Sequence, residues 1–258
     1  MIDVVHLVWA PLGPQPFERF LRSYLDRPAG AEHRLVLVLK EFRDRSHSAA
    51  WDALAEQVPH VRVEMPEPLL DLGAYRRVAL ASDARALCFT NSSTELLADG
   101  WLSALDRALQ DPHVGMVGAT GSWESAYSAA PIWLKPLRRR HFAPFPNPHV
   151  RTNAFMLDRE LLLSLDWPEV GTDKLAALRL ESGRRSISSQ VLARGLAIEA
   201  VGRDGRRHSP SDWPASGLFR SGDQQNLLAG DNRTAQYRDA ELGRRRELAR
   251  FAWGDEVG

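Results

Sequence analysis

The chain has 258 residues, 44% of them hydrophobic and 26% charged, with 33 basic residues balancing 33 acidic ones. This size suits one large α/β domain or two small ones. The neutral balance lacks the basic excess by which a duplex binder is recognised, so no nucleic-acid partner is expected. Thirty of the 33 basic residues are arginine, lysine occurring only at Lys40, Lys135 and Lys174. The excess reflects either coding bias or a set of fork-shaped cations that hold phosphate or carboxylate.

Cys88 is the single cysteine and lies in an apolar run, which excludes a disulfide framework and marks a buried structural thiol. The opening residues Met1 to His6 lack a basic n-region and enter a strand-like run, so no signal peptide is read there. No apolar stretch reaches 18 residues, and a cytoplasmic protein is the expectation.

Two periodicities alternate over the first 120 residues. Val4 to Ala10, Arg34 to Leu39, Val61 to Met65, Ala86 to Thr90 and Val114 to Gly118 read as buried strands. Between them, Phe17, Phe20, Leu21, Tyr24 and Leu25 mark a helical face, as do the stretches Ser48 to Val58 and Leu72 to Ser82. Leu97, Trp101, Leu102, Leu105 and Leu109 form the clearest stripe, stopped at Asp111-Pro112. Such alternation predicts right-handed crossovers, a mainly parallel sheet and a ligand site beyond the carboxyl ends of its strands. Gly121 to Pro148 has no sustained period and is too long for a bare connection, so a functional loop or partly helical flap is expected. Asn153 to Leu157 and Ala197 to Val201 read as further strands. Helices are expected around Arg159 to Leu165, Ile187 to Arg194 and Thr234 to Phe251, with Gly195 as a C′ glycine and a polar, turn-rich tail over 202–230.

No P-loop, dinucleotide glycine fingerprint, nucleophile elbow or zinc spacing is present. His6, inside the first strand, reads as a satisfied core histidine, and His208 as a solvated loop residue. Three polar segments sit at strand or helix ends: Asp71-Leu72-Gly73, where Asp71 can cap a helix and also face the ligand edge; Asn91-Ser92-Ser93-Thr94-Glu95, after the fourth strand; and Arg179 to Arg185, where Glu181 stands among arginines before a helix. The last is either a surface ion-pair cluster or an anion pocket with a carboxylate base.

In this order the segments resemble GT-A fold nucleotide-sugar glycosyltransferases, particularly inverting family 2, over about residues 4–200. The resemblance is carried by Asp71-Leu72-Gly73, by Leu87 to Thr90 leading into Asn91-Ser92-Ser93 and then Gly100-Trp101-Leu102, by Val114 to Gly118, by Asn153 to Leu157, and by Glu181-Ser182 ahead of Arg194-Gly195-Leu196. It implies a GT-A-like, Rossmann-type open sheet, mostly parallel, with helices on both faces and an irregular C-terminal extension. It also implies a donor-binding half over 1–120, an acceptor-side half over 121–202 and a loop-and-helix extension over 203–258.

Three positions depart from the family's pattern. Asn91-Ser92-Ser93 stands where the Asp-x-Asp carboxylates would carry a metal, and neutral oxygens hold hard cations poorly, so Mg²⁺ or Mn²⁺ is expected to bind weakly or not at all and no metal ligands are assigned. The second strand runs into Leu39-Lys40-Glu41-Phe42-Arg43 in place of an acidic pair, and Ser182 replaces the Asp that usually serves as base. By the resemblance, Glu181 is the catalytic base. The donor site draws on Ala10, Pro11, Asp71, Gly73, Asn91, Ser92 and Ser93, with Arg151, Arg184, Arg185 and Arg220 holding the diphosphate in place of a metal. Trp123 and Asn153 are the acceptor-side candidates, within a stretch where Tyr127, Trp133, Phe142 and Phe145 either stack on sugar rings or anchor a flap; Trp213 and Phe219 extend the same choice. The implied partners are a nucleoside-diphosphate sugar and a saccharide or lipid-linked acceptor. The runs Arg138 to Arg140 and Arg244 to Arg246 are either solvated surface or points of peripheral membrane contact. The alternatives are a GT-A-like module that binds a sugar nucleotide or glycan without turnover, and a sugar-phosphate nucleotidyltransferase.

Overall fold

The computed structural model describes residues 1–42 and 48–256. Arg43, the end of the run that follows the second strand, lies outside them. The body is an eight-stranded sheet built from β1 (Ile2–Trp9), β2 (His33–Lys40), β3 (Val61–Met65), β4 (Ala86–Thr90), β6 (Val114–Gly118), β9 (Ala154–Asp158), β10 (Ala197–Val201) and β11 (Arg207–His208). Their spatial order is β11-β10-β6-β9-β4-β1-β2-β3. β1, β2, β3 and β4 run parallel, as do β6 and β10, while β9 lies antiparallel between β4 and β6. Short strands β5 (Glu95–Leu96) and β12 (Ala229–Gly230) pair with each other, as do β7 (Gly121–Ser122) and β8 (His149–Val150).

Helices α1 (Gln15–Asp26), α2 (Ala49–Ala55) and α4 (Trp101–Leu109) cover one face. Helices α3 (Asp71–Ala81), α6 (Arg159–Ser164), α7 (Lys174–Ser182), α8 (Ile187–Ala193) and α10 (Leu242–Trp253) cover the other, with α5 (Lys135–Arg139) and α9 (Asn232–Arg238) at the periphery. Alternation of side chains along β1 explains the two cores: Val5 and Leu7 pack under α3, and Val4 and Val8 pack under α1. This is the α/β class, a mostly parallel open sheet with helices on both faces, expected from the alternation of strands and helices. His6 is buried against Phe20, with ring centroids 3.5 Å apart, and its Nδ1 lies 3.0 Å from Thr90 Oγ1. Burial pushes its pKa down to about 3, as a core histidine requires.

Several boundaries differ from the sequence reading. Strand β1 ends at Trp9, and Ala10 to Leu12 form a 3₁₀ turn with Pro11 near its start. The stripe beginning at Leu97 is not all helix: Glu95–Leu96 pair with Ala229–Gly230, and left-handed Gly100 (φ 71°) resets the chain before α4 begins at Trp101. Helix α7 has no strong apolar period and escaped the sequence reading, so Glu181 stands in the last turn of one helix instead of a loop before another. Thr234 to Phe251 is two helices, α9 and α10, and α9 starts at Asn232 behind a capping box made by Asp231 and Thr234. The 121–148 stretch contains β7, a 3₁₀ turn at Ile132–Leu134 and α5.

Candidate active site

The carboxyl ends of β1, β2 and β4, with the start of α3 after β3, open onto one cleft. Because β9 is antiparallel, its first residues reach the same edge: Thr90 pairs with Ala154, and the amide of Asn91 donates to the carbonyl of Asn153 at 3.0 Å. The cleft has two chambers, of about 560 and 360 Å³, that share Asp71, Asn91, Leu178, Glu181 and Asn232 as common lining.

Trp9, Leu12, Lys40 and Glu41 line the far end of the larger chamber. Trp9 Nε1 donates to Glu41 Oε1 at 2.8 Å, and Glu41 holds a left-handed backbone (φ 59°) that turns the chain out of β2 while its amide donates to the Met65 carbonyl. Lys40, buried at the end of β2, places Nζ 2.5 Å from Asp71 Oδ1 at the start of α3. A carboxylate, Glu41, therefore does stand beside the second strand, although the acidic pair of the family does not. Ala10 and Pro11 do not line the cleft, because the 3₁₀ turn presents Trp9 and Leu12 instead. Gly73 is also absent from the lining: a Cβ there would come within 2.7 Å of Leu69 Cδ1, so its smallness serves the packing of α3.

Asn91, Ser92 and Ser93 line the larger chamber. Asn91 Oδ1 accepts from the Ser93 amide at 3.0 Å and from Thr94 Oγ1 at 3.1 Å, closing a side-chain turn. Among the described residues no group of three or more His, Cys, Asp or Glu side chains is placed to hold a metal ion. With the Asn91 oxygen already engaged and no carboxylate in the 91–93 loop, the residues present do not fit a divalent cation.

The smaller chamber carries the titratable groups. Glu181 projects from the last turn of α7 and accepts from Thr152 Oγ1 at 3.2 Å. Burial pushes its carboxyl above the ordinary value; the Thr152 bond opposes this, nearby Asp71 adds to it, and Arg233 and Arg151 pull the other way. The two arginines that follow it in sequence are elsewhere. Arg185 pairs with Asp166 at 2.6 Å, Arg184 Nε donates to the Arg139 carbonyl, and both line a separate cavity behind α7. Ser182 lines the smaller chamber but is largely buried, its hydroxyl donating back to the Leu178 carbonyl at 3.4 Å, so this position brings no carboxylate to the cleft.

Arg151 does reach the cleft. Its Nη2 lies 2.7 Å from Asp231 Oδ2, its Nη1 donates to Thr120, and its guanidinium sits 3.9 Å from the Phe219 ring centroid, which fixes the fork in place. Burial would raise the Asp231 carboxyl, but Arg151 and the amides of Thr234 and Arg233 hold it below the ordinary value. Arg220 is buried behind the floor, bonded to Glu124 at 2.6 Å, and does not line either chamber. Arg233, unremarked in the sequence, lines the chamber from the first turn of α9, and its guanidinium has no ion-pair partner among the described residues. Only the capping box could have signalled it, since Asp231 and Thr234 fix the helix start and thereby the direction of residue 233.

Asn153 is buried in the cleft floor, with Oδ1 accepting from Thr120 Oγ1 at 2.6 Å and Nδ2 unpartnered. Trp123 is not an acceptor platform: it is buried edge-on to Trp253 and its Nε1 donates to the Pro210 carbonyl. Phe142, Trp213 and Phe219 are likewise buried, so these aromatics anchor the flap. His149, also missed, lines the smaller chamber; burial lowers its pKa, and its Nδ1 donates to the Asn147 carbonyl at 2.8 Å, which leaves Nε2 as an acceptor.

No family model matches the chain, and no curated protein matches it. Solved structures do. A mannosyltransferase from Pyrobaculum calidifontis, in complex with GDP-Man and Mn²⁺, aligns over 78% of this chain and 56% of its own at 18% identity, with a TM-score of 0.46. Glucosyl-3-phosphoglycerate synthase from Mycobacterium tuberculosis, in complex with Mn²⁺, UDP and phosphoglyceric acid, aligns over 70% of this chain and 63% of its own at 16% identity, with a TM-score of 0.42. GalNAc-T7 with UDP, GalNAc and Mn²⁺ aligns over 63% of this chain and 36% of its own at 14% identity, with a TM-score of 0.44. The chain thus spans about half of the mannosyltransferase and under two thirds of the synthase.

Proposed function

We propose that the protein is an inverting glycosyltransferase that moves a sugar from a nucleoside-diphosphate donor to a hydroxyl acceptor and neutralises the leaving diphosphate with side-chain cations instead of a metal. The observation that carries this reading is the shared cleft itself: Glu181, with its carboxyl raised by burial, stands where the two chambers meet, and Lys40, Arg151 and Arg233 surround them. The nucleoside lies between Trp9, Glu41 and Asp71 in the larger chamber, within the 1–120 half. The acceptor enters the smaller one over Asn153 and Thr152, within the 121–202 half, and α9 of the 203–258 extension closes it with Arg233.

In this mechanism Glu181 accepts the proton of the acceptor hydroxyl, whose oxygen bonds to the anomeric carbon from the face opposite the diphosphate. The carbon–oxygen bond to the donor phosphate breaks, and its electron pair leaves on the nucleoside diphosphate. Arg233 meets that charge as an unpaired fork, while Lys40 and Arg151 contribute fixed positive charge already oriented by Asp71 and Asp231. A base whose pKa is raised from the ordinary carboxylate value by burial is better matched to a hydroxyl than an exposed carboxylate is.

The test is thermal shift with nucleoside diphosphates and their sugars, with and without Mn²⁺ and EDTA, followed by transfer assays. Stabilisation by one sugar nucleotide that EDTA leaves unchanged supports the reading; no response to any nucleotide sinks it. A second reading, a sugar-nucleotide-binding module without turnover, is favoured by the neutral 91–93 loop and the buried Ser182. Binding of the donor with no sugar release by the native chain would select it over the enzyme, whereas equal release by the native chain and Glu181→Gln would show that Glu181 is not the base.

A further inference from the structure

On the far side of α7 from the cleft, the flap carries exposed apolar side chains beside a concentration of arginine. Ile132, Trp133 and Leu137 are 83%, 74% and 62% exposed, within six residues of one another. Trp133 lies in the 3₁₀ turn, Leu137 in α5 and Arg140 just past its end, so the exposed apolar side chains and the arginines share one short segment. Lys135 and Arg138 are held against Tyr127 and Phe142, 5.8 and 5.4 Å from the ring centroids, which stiffens the element that presents the apolar residues.

A cavity of about 340 Å³ adjoins it, lined by Arg140, His141, Arg179, Arg184 and Arg185 over an apolar wall that includes Leu180. The Arg184 amide donates to the His141 carbonyl at 2.8 Å and its Nε to the Arg139 carbonyl at 3.1 Å, so helix and cavity rim form one surface. Among the described residues Asp166 is the one lining carboxylate, and it is engaged by Arg185 at 2.6 Å. Arg179 Nε is buried without a partner, and Arg140 has no ion pair among the described residues.

We propose that this face docks on an anionic phospholipid bilayer, with Ile132, Trp133 and Leu137 entering the headgroup boundary and a lipid phosphate held in the arginine cavity. Charge complementarity selects this occupant: the cations outnumber the single carboxylate, which a surface of phosphodiesters answers along its whole extent. Stable association with a bilayer needs two signals, apolar insertion and a basic cluster, and both are present on adjoining parts of one surface. The proposal does not depend on the reaction assigned to the cleft.

The experiment is co-sedimentation of the full chain with neutral phosphatidylcholine vesicles and with vesicles containing about a quarter phosphatidylglycerol, at low and high salt. Binding is expected on the anionic vesicles at least about tenfold above the neutral ones, weakening with salt, each arginine near the surface contributing about fivefold. The variant I132S/W133S/L137S, altered only at exposed positions and checked for an unchanged Tm, is expected to lose binding about tenfold or more, and R139Q/R140Q to lose it in proportion to charge. Any of four results overturns the proposal: no binding, equal binding to both vesicles, an apolar variant that binds as the native chain does, or binding abolished by millimolar inorganic phosphate, which would mark a soluble-phosphate site. Conversion of a dimer to a monomer by the apolar variant, with vesicle binding absent, would assign the face to a second copy of the chain instead.

Discussion

Lys40 Nζ and Asp71 Oδ1 lie 2.5 Å apart across the head of the cleft, joining the end of β2 to the start of α3. The lysine side chain is only 3% exposed while the aspartate is 48% exposed, so the pair has one desolvated member and one wet one. Removing the aspartate strands a buried ammonium, whereas removing both charges leaves only a packing change. Asp71→Ala is therefore expected to lower stability by about 2 kcal/mol, below the range for a fully buried pair because solvent reaches the carboxylate. The double variant Lys40→Met with Asp71→Ala recovers most of that loss. Urea denaturation of the four proteins closes the cycle, and strict additivity would refute the coupling.

Glu181 makes a prediction in which stability and activity move in opposite directions. Its folded carboxyl binds a proton more tightly than the unfolded one, whose ordinary value is 4.5, because burial disfavours the charge. The stabilising contribution of protonation is whole below the ordinary value and is lost as pH rises through the raised one. Glu181→Gln should thus match the native chain in acid and exceed its stability at neutral pH, by a margin that grows with pH and then levels off. Transfer by the same variant is expected to fall about 100-fold or more, with loss of an acidic limb that lies above the ordinary carboxylate value. Parallel pH series of melting temperature and initial rate check both halves.

Arg233 and Arg220 separate binding from folding. Arg233 is exposed in the cleft without an ion-pair partner among the described residues, so Arg233→Gln should weaken nucleoside-diphosphate binding about tenfold while leaving Tm within a degree or so. Arg220 is buried against Glu124 and Phe219, so Arg220→Met is expected to lower stability by about 2–3 kcal/mol. Calorimetric titration with UDP and GDP, alongside thermal melts, distinguishes the two; the reverse pattern would exchange their roles.

Gly183 closes α7 immediately after Glu181 and Ser182, and a Cβ there would overlap the carbonyl oxygen of Arg179. The obstacle is backbone, which cannot rotate away as a side chain can. Gly183→Ala is expected to cost about 1–3 kcal/mol and to shift the last turn of α7. Loss of transfer exceeding the loss of folded protein, measured on protein pre-screened by circular dichroism, would show that the turn positions Glu181.

Cys88 is fully buried in β4, and burial pushes its thiol up to about 12. It should resist thiol reagents in the native chain and react at the rate of global unfolding. Rapid labelling under native conditions would contradict the packing of β4 against β1 and β9.

The amino-acid sequence by itself determined the sheet-forming strands and the helices that flank them over the first 120 residues, because buried parallel strands are short continuous apolar runs and amphipathic helices repeat at 3.6 residues; β3, β4 and β6 begin and end where those runs do. Of the candidates it offered, Asp71, Asn91 to Ser93, Arg151, Asn153 and Glu181 line one cleft, brought there by strand ends, the start of α3 and the end of α7. Only the tertiary structure decided which arginines face that cleft. Neighbours in sequence point in different directions at a helix end, so Arg184 and Arg185 turn away from Glu181 while Arg233, distant in sequence, turns toward it. The direction of a long side chain depends on long-range contacts such as Arg185 with Asp166 and Arg220 with Glu124, which no local period encodes. The same holds for Trp123: its composition suits a sugar platform, but its packing against Trp253 makes it a pillar of the flap.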